Sequence, residues 1–233
     1  MPKVFLRYFA YAVITAGVLY GLIQIAVFMP GGLLLNYVVD VNDTLGTSEF
    51  SPVEQLQNLL ILLCLLVFVW IAYRDRLRRP LAIGFVALFL LTFVREQDYF
   101  LDRYLLDNLW QVLCAWALAL SGVYLYRHRK RFMQGWRRSW PSAGLALMMG
   151  GFITLVAFAQ LAGHEALWIA IMGDSYARVA KVAAEELMEL GAYGLIAMGT
   201  AEFWYAWSKL PQTRSLESRP RRHREKRRSN QAS

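Results

Sequence analysis

The chain has 233 residues, of which 57% are hydrophobic and 18% are charged, and its formal net charge is +8 at pH 7. Soluble domains usually carry about a quarter charged residues, so this composition excludes an ordinary soluble globular protein. Its two cysteines, Cys64 and Cys114, fall within apolar segments and have no metal-ligand spacing, so neither a disulfide nor a cysteine metal site is predicted.

Six apolar segments are long enough to cross a membrane, which takes about 20 residues. They lie at 8–28, 53–73, 81–100, 109–126, 142–162 and 183–207. Together they use most of the chain and leave no room for a separate soluble domain. We therefore predict an all-α fold, a polytopic transmembrane bundle of six helices within residues 1–210, followed by a disordered polybasic tail at 211–233.

Charge is distributed unequally between the two sides of these segments. All but four of the 25 basic residues lie in the N-terminal stretch, in the loops after the second and fourth segments, and in the tail. All but four of the 17 acidic residues lie on the other side. Because lysine and arginine concentrate in cytoplasmic loops, this alternation predicts that both termini are cytoplasmic. The expected location is a bacterial inner membrane, with the acidic side facing outward.

The second segment begins with a polar stripe on its acidic side. Ser51 and Pro52 form a helix-start signal, and Glu54, Gln57 and Asn58 follow at a spacing that places them on one face. Polar side chains that enter an apolar span are costly unless they face the interior of the bundle. This stripe therefore predicts a polar cavity at the outer ends of the helices.

The third segment ends in a charged run on the same side. The run reads Arg95-Glu96-Gln97-Asp98, and Asp102 follows one turn later. Arg95, Asp98 and Asp102 share one helix face, and Glu96 lies on the adjacent one. This helix end therefore supplies three carboxylates to the predicted cavity.

The last two segments add further polar residues there. His164, at the end of the fifth segment, is the only histidine on the acidic side. The sixth segment begins near Lys181 and carries Glu185, Glu186 and Glu189. Lys181, Glu185 and Glu189 recur at four-residue intervals on one face, with Glu186 beside them.

Seven carboxylates and four nearby cations would give this cavity a net charge of −3 if all were ionised. Partly buried like charges cannot all stay ionised, so either some carboxyls keep a proton or a cation binds. Mainly carboxylate donors suit Mg²⁺, Ca²⁺ or Mn²⁺, and Zn²⁺ less well. The predicted metal ligands are Glu54, Glu96, Asp98, Asp102, His164, Glu185, Glu186 and Glu189, with Glu185, Glu189 and Asp98 as candidate catalytic residues. Ordinary structural ion pairs would explain the same residues, and that interpretation stays open.

Three of these elements together resemble a known group. Glu54 with its polar stripe, Arg95-Glu96-Gln97-Asp98, and Lys181 with Glu185-Glu186-x-x-Glu189-Leu190 resemble elements of uncharacterised bacterial six-span integral membrane proteins. In that group, Arg-Glu-x-Asp and Glu-Glu-x-x-Glu-Leu elements recur at similar places. The resemblance covers about half of the helices and implies no activity.

A weaker resemblance links the chain to alkaline ceramidase-type membrane hydrolases, which place Glu, Asp and His ligands at helix ends. That resemblance implies zinc-dependent hydrolysis of a lipid amide. The chain departs from the family in two respects, because it has six predicted spans instead of seven and lacks the family's histidine set.

Three functional interpretations remain open. The first is a metal-dependent enzyme acting on a lipid or lipid-linked substrate, with Glu185 or Glu189 as general base. The second is a proton- or ion-handling transporter, although the inner halves of the spans hold little polarity besides Glu202. The third is a non-catalytic membrane subunit that docks a basic protein partner through its acidic face.

The sequence also indicates partners and excludes some chemistry. The polybasic tail is expected to contact anionic lipid of the inner leaflet, and membrane lipids surround the spans. Nucleic-acid binding is not favoured, because no nucleic-acid-binding fold or interleaved aromatic residues accompany the basic run. With only three histidines in the chain, a histidine-rich di-iron site is excluded, and no paired Glu-x-x-His motif is present.

Overall fold

The computed structural model describes residues 2–28, 52–97, 101–102, 105–140 and 142–209, and every regular element in these ranges is helical. The all-α prediction is confirmed for this part of the chain. The helices are α1 (Pro2–Phe28), α2 (Pro52–Arg74), α3 (Arg79–Glu96), α4 (Leu109–Arg127), α5 (Arg129–Ser139), α6 (Ala143–Ile153), α7 (Gln160–Ala162), α8 (Glu165–Met172) and α9 (Arg178–Ser208). A π-helical segment (Thr154–Ala159) joins α6 to α7. The predicted tail at 211–233 and Asp98 lie outside the described residues.

Four helical stretches are long and apolar enough to cross a membrane. They are Phe5–Gln24, Val53–Arg74, Leu109–Arg127 and Ala143–Ala162, the last running through α6, the π-helical segment and α7. The other two predicted spans exist as the helices α3 and α9. Helix α3 carries charged residues at both ends, and α9 carries several along its first half, so neither reaches the same apolarity. Six spans and the orientation of the termini therefore stay predictions.

Buried aromatic rings hold α2, α3 and α9 together. The ring of Phe68 in α2 has its centroid 4.6 Å from that of Phe85 and 5.7 Å from that of Phe89, both in α3. Its centroid is 5.4 Å from that of Phe203 in α9. All four rings are buried. Because lipid is as apolar as these side chains, such close packing, rather than exclusion from water, is what stabilises helix contacts within a membrane.

Helices α6 and α9 approach each other so closely that glycine is required where they cross. A Cβ atom added to Gly144 would lie 2.5 Å from the backbone nitrogen of Phe203. One added to Gly199 would lie 2.6 Å from the backbone nitrogen of Met148. Backbone atoms cannot rotate away as a side chain can, so these positions accept no side chain without moving a helix. The contact fixes α9, with its acidic residues, against α6.

Helix α5 corrects the sequence-based interpretation, which treated 127–138 as a charged loop. Phe132 and Trp136 lie one helical turn apart on its inner side, and both pack against the buried core. A Cβ atom on Gly135 would lie 3.3 Å from the Cβ atom of Leu81 in α3, so the helix is seated closely. The many basic residues concealed this amphipathic spacing.

Helix α1 contacts α9 through polar groups near its N-terminal end. The Nε atom of Arg7 lies 3.0 Å from Oε1 of Glu202, and the hydroxyl of Tyr11 donates to the same oxygen at 3.0 Å. The guanidinium of Arg7 also stacks over the ring of Tyr205. Glu202, which is 5% exposed, thus has a cation and a hydrogen-bond donor at a depth where an unpaired charge would be costly.

Candidate functional site

The first half of α9 supplies most of the acidic side chains at one end of the bundle. Glu189 is 8% exposed and Tyr193 is 2% exposed, whereas Glu185 and Glu186 are half-buried. The spacing Glu185, Glu189 and Tyr193 repeats every four residues, so the three side chains lie along one side of the helix. Helix α9 therefore carries the carboxyl group of Glu189 into the interior of the bundle.

The π-helical segment runs beside this part of α9. Before the segment, a Cβ atom on Gly151 would lie 2.8 Å from the carbonyl oxygen of Ala192. After it, Gly163 packs directly against the carboxylate of Glu185. Since the segment lies between these two contacts, it passes the level of Glu189. Irregular turns of this kind within α-helices often occur at functional sites.

A hydrogen bond joins the end of α3 to α9. The hydroxyl of Tyr193 donates to Oε1 of Glu96 at 2.7 Å, a distance typical of a strong bond to a charged acceptor. Tyr193 is otherwise surrounded by apolar core residues. The bond therefore places the carboxylate of Glu96 against the side of α9 that carries Glu189.

Gln57 of α2 joins the same site and is 1% exposed. Its Nε2 atom donates to the backbone carbonyl of Glu186 and to the Oε2 atom of Glu186, both at 3.1 Å. A carbonyl oxygen can only accept, so the amide nitrogen must face it. Oε1 is the other atom of this planar amide, and it is buried without a hydrogen-bond partner. We refer to Gln57, Glu96, Glu186, Glu189 and Tyr193 as the polar cluster.

Further polar contacts form the rim of the polar cluster. Gln97 donates to the side-chain oxygen of Asn58 at 2.9 Å, which links the end of α3 to α2. The ammonium group of Lys181 lies 3.5 Å from Oε2 of Glu185. Glu54 is half-buried one turn before Gln57 on α2. The rim is thus more exposed and more evenly charged than the polar cluster itself.

Electrostatics within the polar cluster are unbalanced. The charges of Glu96, Glu186 and Glu185 all act on Glu189, and Arg95 is the cation that acts on it. Counting Lys181 beside Glu185, these four carboxylates outnumber by two the cations that act on them among the described residues, if all are ionised. Charges removed from water need compensation by a counter-ion, a proton or hydrogen bonds. Tyr193 and Gln57 each supply hydrogen-bond donors, which offset only part of this excess.

The structure places the predicted site residues in three groups. Glu96, Glu185, Glu186 and Glu189 lie close enough for their charges to interact, and Glu54 precedes Gln57 on α2. His164 and Asp102 make no described contact with them; His164 is exposed, and Oδ1 of Asp102 is buried without a hydrogen-bond partner. Asp98 lies outside the described residues.

Metal ligation stays a prediction. Within the described ranges, no three or more His, Cys, Asp or Glu side chains are grouped in a way that could hold a metal ion. The carboxylates of the polar cluster are near one another, but their oxygen atoms do not already converge on one point. The catalytic roles predicted for Glu185, Glu189 and Asp98 likewise stay predictions.

The sequence-based prediction did not identify two features of the structure. Glu202 was recognised as a polar residue in an apolar span, but its partners Arg7 and Tyr11 were not identified. Their four-residue spacing on α1 was the available signal, because it places both side chains on one face. The bond from Tyr193 to Glu96 was also missed, since the two residues are 97 positions apart.

We compared the chain with protein families, curated proteins and solved structures. No family model matches the chain, and neither a curated protein nor a solved structure is significantly similar to it.

Proposed function

We propose that this is a polytopic membrane protein that binds a cation in the polar cluster, on the extracytoplasmic side of a six-span bundle in a bacterial inner membrane. The placement on that side follows from the positions of the basic loops. The cation is a proton or a small metal ion. The proposal joins two features, an excess of carboxylates around the buried Glu189 and an acceptor that lacks a donor.

The observation that carries the proposal is the unsatisfied Oε1 atom of Gln57. A buried acceptor without a donor costs about 1–3 kcal/mol, so it is rare unless something occupies the site. The amide nitrogen of the same side chain is already bonded to Glu186, so Oε1 belongs to a side chain that contacts the polar cluster. A protonated carboxyl could donate to Oε1, and a metal ion could be bound by it.

The available donors restrict the cation. Gln57, Glu96, Glu186 and Glu189 offer only oxygen atoms, which suit Mg²⁺, Ca²⁺ or Mn²⁺ better than metals that prefer nitrogen or sulfur. Zn²⁺ would be favoured only if His164 turned inward. A proton shared between neighbouring carboxyls meets the same electrostatic need without any rearrangement of ligands.

An apolar layer favours binding over conduction. Along α9, Ile196 lies between Tyr193 and Glu202, and it is buried with Phe68 and Phe203 in the core. A transporter needs a polar route, and these described core residues are apolar. A metal-dependent reaction on a lipid, and docking of a basic partner, remain roles that a cation site in this place could serve.

Equilibrium metal binding to the purified, full-length protein tests the proposal. The protein is first treated with a chelator and then dialysed separately against Mg²⁺, Ca²⁺, Mn²⁺ and Zn²⁺, and the bound metal is measured by mass spectrometry. The variants are Gln57→Leu, which removes the unpaired acceptor, and Glu189→Gln. The matched control is Gln55→Leu, because Gln55 is exposed on the same helix.

We expect one metal ion per chain, bound about tenfold or more weakly by Gln57→Leu and Glu189→Gln but normally by the control. If no metal binds, the cation must be a proton, and protonation of a carboxyl must then be detectable. Binding that is unchanged in both variants would exclude the polar cluster. Proton flux in liposomes that is lost in Glu189→Gln would favour the transporter interpretation.

A further inference from the structure

Helix α5 has two chemically different sides. Phe132, Gly135, Trp136 and Ser139 face the protein and are buried or half-buried. The basic side chains on the helix are all exposed, and they are Arg129, Lys130, Arg131, Arg137 and Arg138. Four of the five lie on the side opposite Trp136, given the helical period of 3.6 residues. The helix therefore presents a basic face away from the bundle.

The chain connections fix α5 at the edge of the membrane. The apolar span Leu109–Arg127 ends just before it, and the apolar span Ala143–Ala162 begins just after it. A helix that directly connects two spans must lie near the membrane boundary. Trp136 and Trp140 stack with their ring centroids 6.1 Å apart, and Trp140 is half exposed. Tryptophan at the end of such a helix is typical of the headgroup region.

No ion pair among the described residues neutralises the charge of this face. No acidic residue occurs in the sequence between Asp107 and Glu165. The ion pairs of the described ranges involve Arg7, Arg78 and Lys181, and none of them involves α5. The guanidinium of Arg129 stacks over the ring of Tyr126, which orders the side chain without compensating its charge. Anions from outside the chain are the expected counter-charge.

We propose that the basic face of α5 is a docking surface for anionic phospholipid headgroups of the adjacent leaflet. Four of the five basic residues are arginines, whose planar guanidinium groups bind phosphate oxygens in pairs. Clustered lysine and arginine side chains next to a membrane are attracted to its anionic lipids. Unlike a flexible tail, α5 is held in place by its packing on α3, so its arginines are positioned before lipid binds.

Lipid retention by the full-length protein tests this proposal. The protein is purified in detergent, mixed with phosphatidylglycerol or phosphatidylcholine, and examined by native mass spectrometry for bound lipid. The basic residues at positions 219–228 are first replaced by glutamine, so that the tail does not contribute. Lys130→Gln, Arg137→Gln and Arg138→Gln are then combined in that background. A second set, Arg137→Lys and Arg138→Lys, preserves the charge.

The tail-neutral protein should retain phosphatidylglycerol in preference to phosphatidylcholine. Each charge removed from α5 should weaken retention about fivefold at low salt, so the three substitutions of the glutamine set should lower it about a hundredfold. The lysine set should keep the preference for the anionic lipid. Should the glutamine set fail to fold, a salt series on the tail-neutral protein decides, because higher salt must weaken retention. Equal retention of both lipids, or an unchanged preference in the glutamine set, would overturn the proposal.

Discussion

Replacing Gly144 by alanine should loosen the contact that fixes α9 in the bundle. The added Cβ atom would lie 2.5 Å from the backbone nitrogen of Phe203, and the backbone cannot move aside locally. Overpacking of a tight contact costs about 1–3 kcal/mol, and the lack of any flexible atom favours the upper end. Alanine also gains about 1 kcal/mol in helix propensity over glycine. The net loss of stability is therefore about 2 kcal/mol.

A loss of this size should lower the Tm by about 4–8 °C, since each kcal/mol corresponds to roughly 2–4 °C in a chain of this length. Unfolding can be followed with a thiol-reactive dye in a Cys114→Ser background, because Cys114 is half-buried, whereas Cys64 is buried and reacts only when the bundle opens. The matched control is Gly150→Ala, since a Cβ atom there meets nothing within 4 Å. If both variants melt at the same temperature, α6 and α9 do not approach each other as closely at Gly144 as the structure indicates.

Two further substitutions test polar contacts between helices. Tyr193→Phe removes the hydrogen bond to Glu96, which should cost about 1.5–3 kcal/mol in thermal unfolding, whereas Tyr20→Phe, at an exposed site, should have no effect. Arg7→Leu leaves buried Glu202 without its cation and should cost about 2–3 kcal/mol, somewhat less than for a fully buried pair. Changing both Arg7 and Glu202 to leucine should recover most of that loss, and a double variant as unstable as the single one would show that the pair is not the cause.

The regular parts of the fold were predictable because they depend on local composition. Runs of apolar residues identified α1, α2, α4 and the span from Ala143 to Ala162, all of which the structure contains as helices of sufficient length. Helix α5 was missed because its basic residues gave the appearance of a loop. Its apolar side is short and consists mainly of Phe132 and Trp136, so the amphipathic pattern is visible only once the helix is known.

The candidate site was only partly predictable, because its members come from distant parts of the chain. The spacing of Glu185 and Glu189 predicted a shared side of one helix with Glu186 beside them, and the structure contains all three residues in helix α9. Which carboxylate of α3 would meet them depends on the bond from Tyr193 to Glu96, a tertiary contact that no local pattern specifies. His164 was grouped with the carboxylates from its position alone, yet its side chain is exposed.

Gln57 also shows which features follow from local spacing and which depend on tertiary packing. A polar stripe on an apolar helix must face inward, so the burial of Gln57 followed from its spacing. The partner of its nitrogen and the absence of one for its oxygen follow from where α9 lies, which only the packing of α2 against α9 determines.

Infrared spectroscopy of the purified protein tests most directly whether the polar cluster holds a cation. A protonated carboxyl group absorbs at a different infrared frequency from an ionised one. The difference spectrum between the wild-type protein and Glu189→Gln therefore isolates the signal of Glu189. We expect a protonated carboxyl in metal-free protein, replaced by a metal-bound carboxylate when a suitable divalent ion is added. A spectrum in which Glu189 is ionised without any bound metal would contradict the account.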